Sequence, residues 1–367
     1  MLRFYFDTAT PDDGQEMLEI LENAAFRGKI SLLYTRRPDA FRSFKMEGER
    51  VDIVVCRDSE RGRIAGLGAC ATRQVFLNGR PETIGYLFGL RVRQEYAKKY
   101  PLLHRGYAYL RNAAKDTPLP LYVTTILEEN RAAQTLLEKP RDFMPSYAPR
   151  GMYEVYALNC SGHSFFKRKR GDLQQARPED ADALTQFLNE QGRRFQFFPT
   201  VAPNSFLAHV PGQPALEDFY LLKSAQGDIL ACGAFWNQAA YKQYLVQGYG
   251  GFFKMLAPVS RWQPLVGMPS LPKPGERLRF FTLSYWAVKD DNPALFRKFL
   301  DGIPAVAPTY PFYLVGAHET HPLRPVLQHR PHISYKSRLY TVGWPHQQPM
   351  IRNVHPDLPV YLECGML

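Results

Sequence analysis

The sequence predicts a mixed α/β protein, α+β in its sheet pattern, in which two similar layered units follow one another. Three observations carry this reading. Short apolar runs with period two alternate with stretches whose apolar residues recur at helical spacing. The order of these elements is repeated over residues 1–160 and 174–367, with little residue identity between the halves. Between them SGHSFFKRKRGDL, residues 161–173, is small, polar and basic without periodicity, as a linker is. At 367 residues the chain is long enough for two domains, each burying its own core.

In the first half, Met17, Ile20, Leu21 and Ala24 form a helical stripe behind Pro11-Asp12-Asp13, whose carboxylates suit a helix start. VDIVVC, IAGLGACATRQVF and ETIGYLFGLRV read as three strands joined by tight turns, one of them carrying the hairpin pair Asn78-Gly79. The period then changes. Leu103, Tyr107, Leu110 and Ala114 share a helical face that begins at Pro101, a favourable first position because its N–H would be unpaired. PLPLYVTTIL returns to strand, NRAAQTLLEK to helix and YEVYALNC to strand. The predicted unit is a central, mostly antiparallel sheet flanked by helices.

The second half follows the same plan. A helix runs through Ala183, Leu184, Phe187 and Leu188, followed by strands DFYLLKS, DILACGAFWNQ and YKQYLVQGY. After a Pro-rich insert over residues 256–277 come strand LRFFTLSYWAV, helix NPALFRKFLDGI and strand FYLVGA. A short helix near residues 323–328 and strands SYKSRLYTVGW and PVYLECG complete the reading.

Composition narrows the class. The net charge of +11 is diffuse: residues 1–160 carry +4, Lys167–Arg170 another +4 and the rest +3. That suits an anionic small ligand better than a nucleic-acid face. The five cysteines are odd in number and lack CxxC spacing, which argues against a disulfide framework or zinc site. His318-Glu319-Thr320-His321 is one residue short of the zincin spacing, and no metal is expected. No apolar run approaches the roughly 18 residues of a spanning helix, and no secretory signal is visible. A cytoplasmic protein is expected.

Two stretches resemble the GNAT superfamily of acetyl-CoA-dependent acyltransferases. GLRVRQEYAKKYPLLHRGYAYL is similar to its strand, phosphate turn and helix, and TTILEENRAAQTLLEK to the strand and helix that follow, with Asn130 and Ala133 at the family's Asn and Ala. The resemblance implies two tandem GNAT-like domains and acyl transfer from acetyl-CoA, as co-substrate, to an amine of unknown identity. It places the pantetheine along Leu90, Arg91 and Val92. It places the pyrophosphate by Lys98, Lys99, Tyr100, Leu102, Leu103 and His104, where a helix N-terminus attracts anions. Asn130 completes the implied coenzyme set.

The turn departs from the family pattern. Ala97-Lys98-Lys99-Tyr100-Pro101-Leu102 lacks both glycines and the leading Arg, and Leu137 stands where the family often has a catalytic Tyr. Glu128 is the candidate base, since it ends the strand before that helix; Glu128 and Glu129 equally suit solvated carboxylates at a helix start. In the second half the aligned turn is Lys289-Asp290-Asp291-Asn292-Pro293, whose carboxylates repel pyrophosphate. One coenzyme, held by the first half, is the expectation. A non-catalytic CoA-binding or regulatory module is the alternative, because fold does not settle function.

Overall fold

The computed structural model describes residues 3–23, 30–97, 102–113, 118–142, 144–160, 172–250 and 272–367. The first half contains β1 (Phe4–Thr8), α1 (Gly14–Glu22), β2 (Ile30–Thr35), α2 (Ala40–Lys45), β3 (Val51–Asp58), β4 (Arg63–Leu77) and β5 (Arg80–Val92). It continues with α3 (Leu102–Ala113), β6 (Tyr122–Leu127), α4 (Arg131–Glu138) and β7 (Ser146–Asn159). The second half contains β8 (Leu173–Gln175), α5 (Ala181–Gly192), β9 (Phe219–Lys223), β10 (Ile229–Trp236), β11 (Gln243–Tyr249) and β12 (Phe280–Val288). It ends with α6 (Pro293–Val306), β13 (Phe312–His318), α7 (Arg324–Gln328), β14 (His332–Gly343) and α8 (Gln348–Arg352).

Period-two patterning sorts side chains to the two sheet faces. Val51, Ile53 and Val55 of β3 join the core under α1 and α2. Val54 and Cys56 of the same strand join cores that hold residues of α3. Met17, Ile20 and Leu21 of the expected stripe are buried in α1, joined by Leu18, and Ala24 lies outside the described residues. Asn78 and Gly79 both adopt positive φ, the conformation a two-residue hairpin needs.

Twelve strands form one sheet in the order β1-β3-β4-β5-β6-β14-β7-β13-β12-β10-β9-β8. Each half is completed by the other's last strand. β14 lies against β6 and β7 against β13, while β7 and β14 pair antiparallel along their length. The sheet is therefore continuous, where a separate sheet for each half was expected. Tyr153 and Val155 of β7 accordingly belong to one core cluster and Tyr156 and Leu158 to another. Residues 161–171 of the expected linker, and most of the Pro-rich insert, lie outside the described residues.

Two further expectations are corrected. YKQYLVQGY does not extend the second meander: β11 leaves the sheet and pairs antiparallel with β2 in a two-stranded ribbon, Tyr244 opposite Tyr34. PVYLECG is not a strand. β13 and β14 each already have two neighbours, so no edge is open to it. It runs extended, makes a single bridge from Val360 to Gln196, and ends in a turn of 3-10 helix at Cys364–Met366. Among the described residues no helix is long and apolar enough to cross a membrane.

Among the described residues two strand pairs are parallel, and they repeat each other. β5 pairs with β6 through Gly85↔Tyr122 and Tyr86↔Val123, and β12 with β13 through Phe280↔Phe312, Phe281↔Tyr313 and Thr282↔Leu314. Each pair then parts. Each first strand also carries an extra residue against its antiparallel neighbour. Ala69 and Leu67 oppose Phe88 and Arg91, and Ala234 and Cys232 oppose Ser284 and Ala287. Both bulges hold a residue at positive φ, Gly89 in the first half and Tyr285 in the second. The backbone repeat is thus sharper than the repeat in residue identity.

Candidate active site: the cleft between β5 and β6

Where β5 and β6 part, a cavity of about 1240 Å³ opens through the sheet. Two hydroxyl contacts mark its apex. Thr124 Oγ1 donates to the carbonyl of Leu87 (2.7 Å), and the hydroxyls of Tyr86 and Thr125 meet at 3.3 Å. Beyond the apex β5 and β6 share no ladder pair, so backbone groups of β5 face open space. Gly89 sits at the opening with φ +67, and a Cβ there would lie 2.8 Å from the Phe44 ring. Both conformation and space call for glycine.

The second half shows what such a bulge requires. Its equivalent gap is filled by the chain itself. The N–H of Tyr285 donates to Glu363 Oε2 (2.6 Å) and that of Trp286 to the Tyr361 hydroxyl (3.2 Å). Glu363 also accepts from the N–H of Gly365 and from Tyr361, while Tyr153 donates to the Leu362 carbonyl. By register, Gly89 and Leu90 are the counterparts of Tyr285 and Trp286. In the first half both residues line the cavity.

One wall of the cavity belongs to α3 and α4. Leu102, Leu103 and Tyr107 of α3 line it, as do Ala133 and Leu137 of α4. Tyr107 and Tyr147 share a hydroxyl–hydroxyl hydrogen bond in the same core cluster as Leu137. The opposite wall is aromatic. Tyr34 of β2 and Tyr244 of β11 face it with ring centroids 5.1 Å apart, joined by Tyr86 of β5 and Tyr335 of β14.

Beneath this wall lies a buried ionic cluster. Glu47 meets Arg36 at 2.6 Å, Lys242 at 3.1 Å and Arg73 at 3.6 Å. Burial pushes the Glu47 carboxyl up, but Arg36, Lys242 and Arg73 outweigh it and hold it below the usual carboxylate range. Burial pulls Lys242 down to about 8 against the attraction of Glu47. Lys242 also donates to main-chain oxygens of Gly365 and Leu367 (both 3.1 Å), Gln238 to Gly365 (2.6 Å) and Arg73 to Met366. The cluster clamps residues 365–367 beside the cavity, which Cys364 and Leu367 line.

Most of the residues singled out from the sequence come together here. Leu90, Arg91, Val92, Leu102, Leu103, Glu128 and Asn130 all line the cavity. Asn130 caps α4, its side chain accepting from the N–H of Ala133 (3.2 Å). His104 is not among the lining residues. Lys98, Lys99 and Tyr100 lie outside the described residues. Glu128 follows the last residue of β6, well past the apex where β5 and β6 part. It is exposed there. Among the described residues no group of His, Cys, Asp and Glu is arranged to hold a metal ion. His321 is instead packed against Phe195 (4.8 Å) and Trp286 (4.6 Å), and burial pulls it down to about 3.

Sequence reasoning missed Gly89, Thr124, Tyr86 and the aromatic wall. A glycine inside a strand was a usable signal for the first. Tyr34, Arg36, Lys242 and Tyr244 gave none, because the β2–β11 pairing joins residues some two hundred positions apart.

No family model matches the sequence, and no curated protein matches it. Among solved structures, the chain is similar to N-myristoyltransferase of Saccharomyces cerevisiae with bound myristoyl-CoA. The TM-score is 0.59 at 12% identity, over 93% of this chain and 83% of that one. It is also similar to a GCN5-related N-acetyltransferase from Anabaena variabilis, with a TM-score of 0.50 at 11% identity over 92% and 72% of the two chains. With the splayed parallel pair and its bulge present in each half, the chain has the tandem GNAT fold, its two units fused through their exchanged last strands.

Proposed function

We propose that the chain is an N-acyltransferase that binds one acyl-CoA in the β5–β6 cleft of its first half. One observation carries the reading. The same bulge occurs in both halves, but the second is sealed by Tyr361 and Glu363 while the first opens into the cavity. The pantetheine amides pair with the β5 backbone over Leu90–Val92. The thioester carbonyl points at the N–H groups of Gly89 and Leu90, which stabilise the negative charge that develops on its oxygen. The pyrophosphate lies at the start of α3, whose free N–H groups and dipole favour an anion, with Lys98 and Lys99 adjacent in sequence.

The acceptor enters from the aromatic side. Its neutral amine attacks the carbonyl carbon, the C–S bond breaks, and an amide and free CoA result. The amine loses a proton and the thiolate gains one. The Tyr107–Tyr147 pair is the hydroxyl source on the coenzyme wall, where α4 offers only Leu137. Glu128, past the end of β6 and away from the apex, is better placed beside the pantetheine than at the reacting carbon.

Acetyl-CoA is the donor expected from the sequence, and the cavity has room for longer acyl groups. The test is thiol release from acetyl-CoA through myristoyl-CoA with a panel of amines, alongside calorimetric binding. Amine-dependent release, with binding near one per chain, is expected. Binding without release by any amine would replace this reading with a CoA-binding module. Absence of binding would overturn the site itself.

A further inference from the structure

Resting on the acyl-transfer reading, we infer that the acceptor is a compact amine bearing a carboxylate, an amino acid in chemical class, whose carboxylate docks on Arg36 in the aromatic chamber. The chamber is built by four elements, with Tyr34, Tyr86, Tyr244 and Tyr335 converging from β2, β5, β11 and β14. Tyr335 is 45% exposed although it lies mid-strand between β6 and β7. Burial nevertheless raises its hydroxyl well above the ordinary value, with Tyr244, Cys364, Tyr86 and Tyr34 adding to the shift. Its open surface therefore faces the cavity rather than bulk solvent.

Arg36 supplies the charge. It is 3% exposed and lines the cavity. Its Nη1 is committed to Glu47 and Ser43, but its buried Nε has no hydrogen-bond partner. A buried guanidinium edge left unpaired is costly unless a ligand completes it. Among the described side chains lining this inner end, Arg36 and Lys242 are cationic and Glu47, within ion-pair distance of both, is anionic. Arg36, Lys242 and Arg73 surround the single side-chain carboxylate of Glu47, so the excess side-chain charge here is positive and disfavours an ammonium. A carboxylate meets a guanidinium and phenol donors, the charge-assisted pairing that planar arginine favours.

The geometry also sets the acceptor's size. The Arg36 guanidinium stacks on the Phe44 ring at 4.9 Å, and that same ring abuts Gly89 at the bulge. The anion site and the reacting carbonyl are thus separated by about one ring, which a small amino acid spans with its amine toward the thioester.

The experiment is thiol release with matched acceptors: alanine against alaninamide, and phenylalanine against phenylalaninamide and phenethylamine. The free acids should exceed the others in kcat/KM by roughly tenfold or more, the scale of one charge-assisted contact. Tyr335→Phe, which removes a hydroxyl without emptying the core, should narrow that ratio, and Arg36→Gln should abolish it. Amides that match the acids would overturn the inference while leaving acyl transfer standing. Calorimetric titration of N-acetylalanine against its amide reads the same subsite without turnover. Tighter binding of the acid supports the inference even if no amine releases thiol, a result that would count against acyl transfer alone. Equal or weaker binding of the acid overturns it.

Discussion

Gly89→Val is expected to weaken acyl-CoA binding about a hundredfold, a loss of roughly 2–3 kcal/mol. Two effects combine. A β-branched residue is badly accommodated at φ +67, so the bulge must distort, and its N–H groups then lose their aim. The added atoms also collide with Phe44 or enter the slot between β5 and β6. The variant should fold, with stability reduced by about 1–3 kcal/mol, the usual cost of a strained backbone position. A thermal melt run beside the binding titration separates the two effects. A folded variant with unchanged affinity would show that the coenzyme does not use this bulge.

The largest loss of stability is expected from Glu47→Ala. Removing the carboxylate leaves Arg36, Lys242 and Arg73 around the space it occupied, with side-chain exposures of 4, 5 and 11%. Breaking a buried ion pair from one side costs about 3–5 kcal/mol. The deficit should shrink with rising pH. Lys242 titrates at about 8 in the folded chain against an ordinary 10.5. Between those values the unfolded chain binds more protons than the folded one, so the lysine's contribution to stability rises with pH. Loss of Glu47 lowers that folded value further, and deprotonation then relieves more of the repulsion. Urea denaturation of both proteins at pH 7 and pH 9 measures this; an equal deficit at both would place the penalty in packing rather than charge.

What was legible in the sequence was local. The Asn78-Gly79 turn, the Met17–Leu21 stripe, the helix read over NRAAQTLLEK and the succession of β3, β4 and β5 depend on neighbours a few residues apart, and the structure has them. The lining of the cleft proposed for the coenzyme was legible for the same reason, since Leu90–Val92, Leu102–Leu103 and Asn130 lie on consecutive elements. What was hidden depends on pairings across the chain. β7 and β14 have the composition of ordinary closing strands, and nothing in their residues says that each closes the other half. VYLECG has the apolar character of a strand, yet tertiary context makes it a plug, because Tyr361 and Glu363 satisfy the bulge at Tyr285. The vacancy expected to be spoiled by Asp290 and Asp291 is thus also filled from within.

A crystal structure with a non-transferable acyl-CoA analogue tests most directly whether one coenzyme binds, in the first half. It should show a single molecule, its pantetheine between residues 87–92 and 124–127 and its carbonyl oxygen on the N–H groups of Gly89 and Leu90, with Tyr361 and Glu363 still in place on β12. An analogue lying between β12 and β13 with residues 361–367 displaced, or one bound away from both gaps, would contradict it.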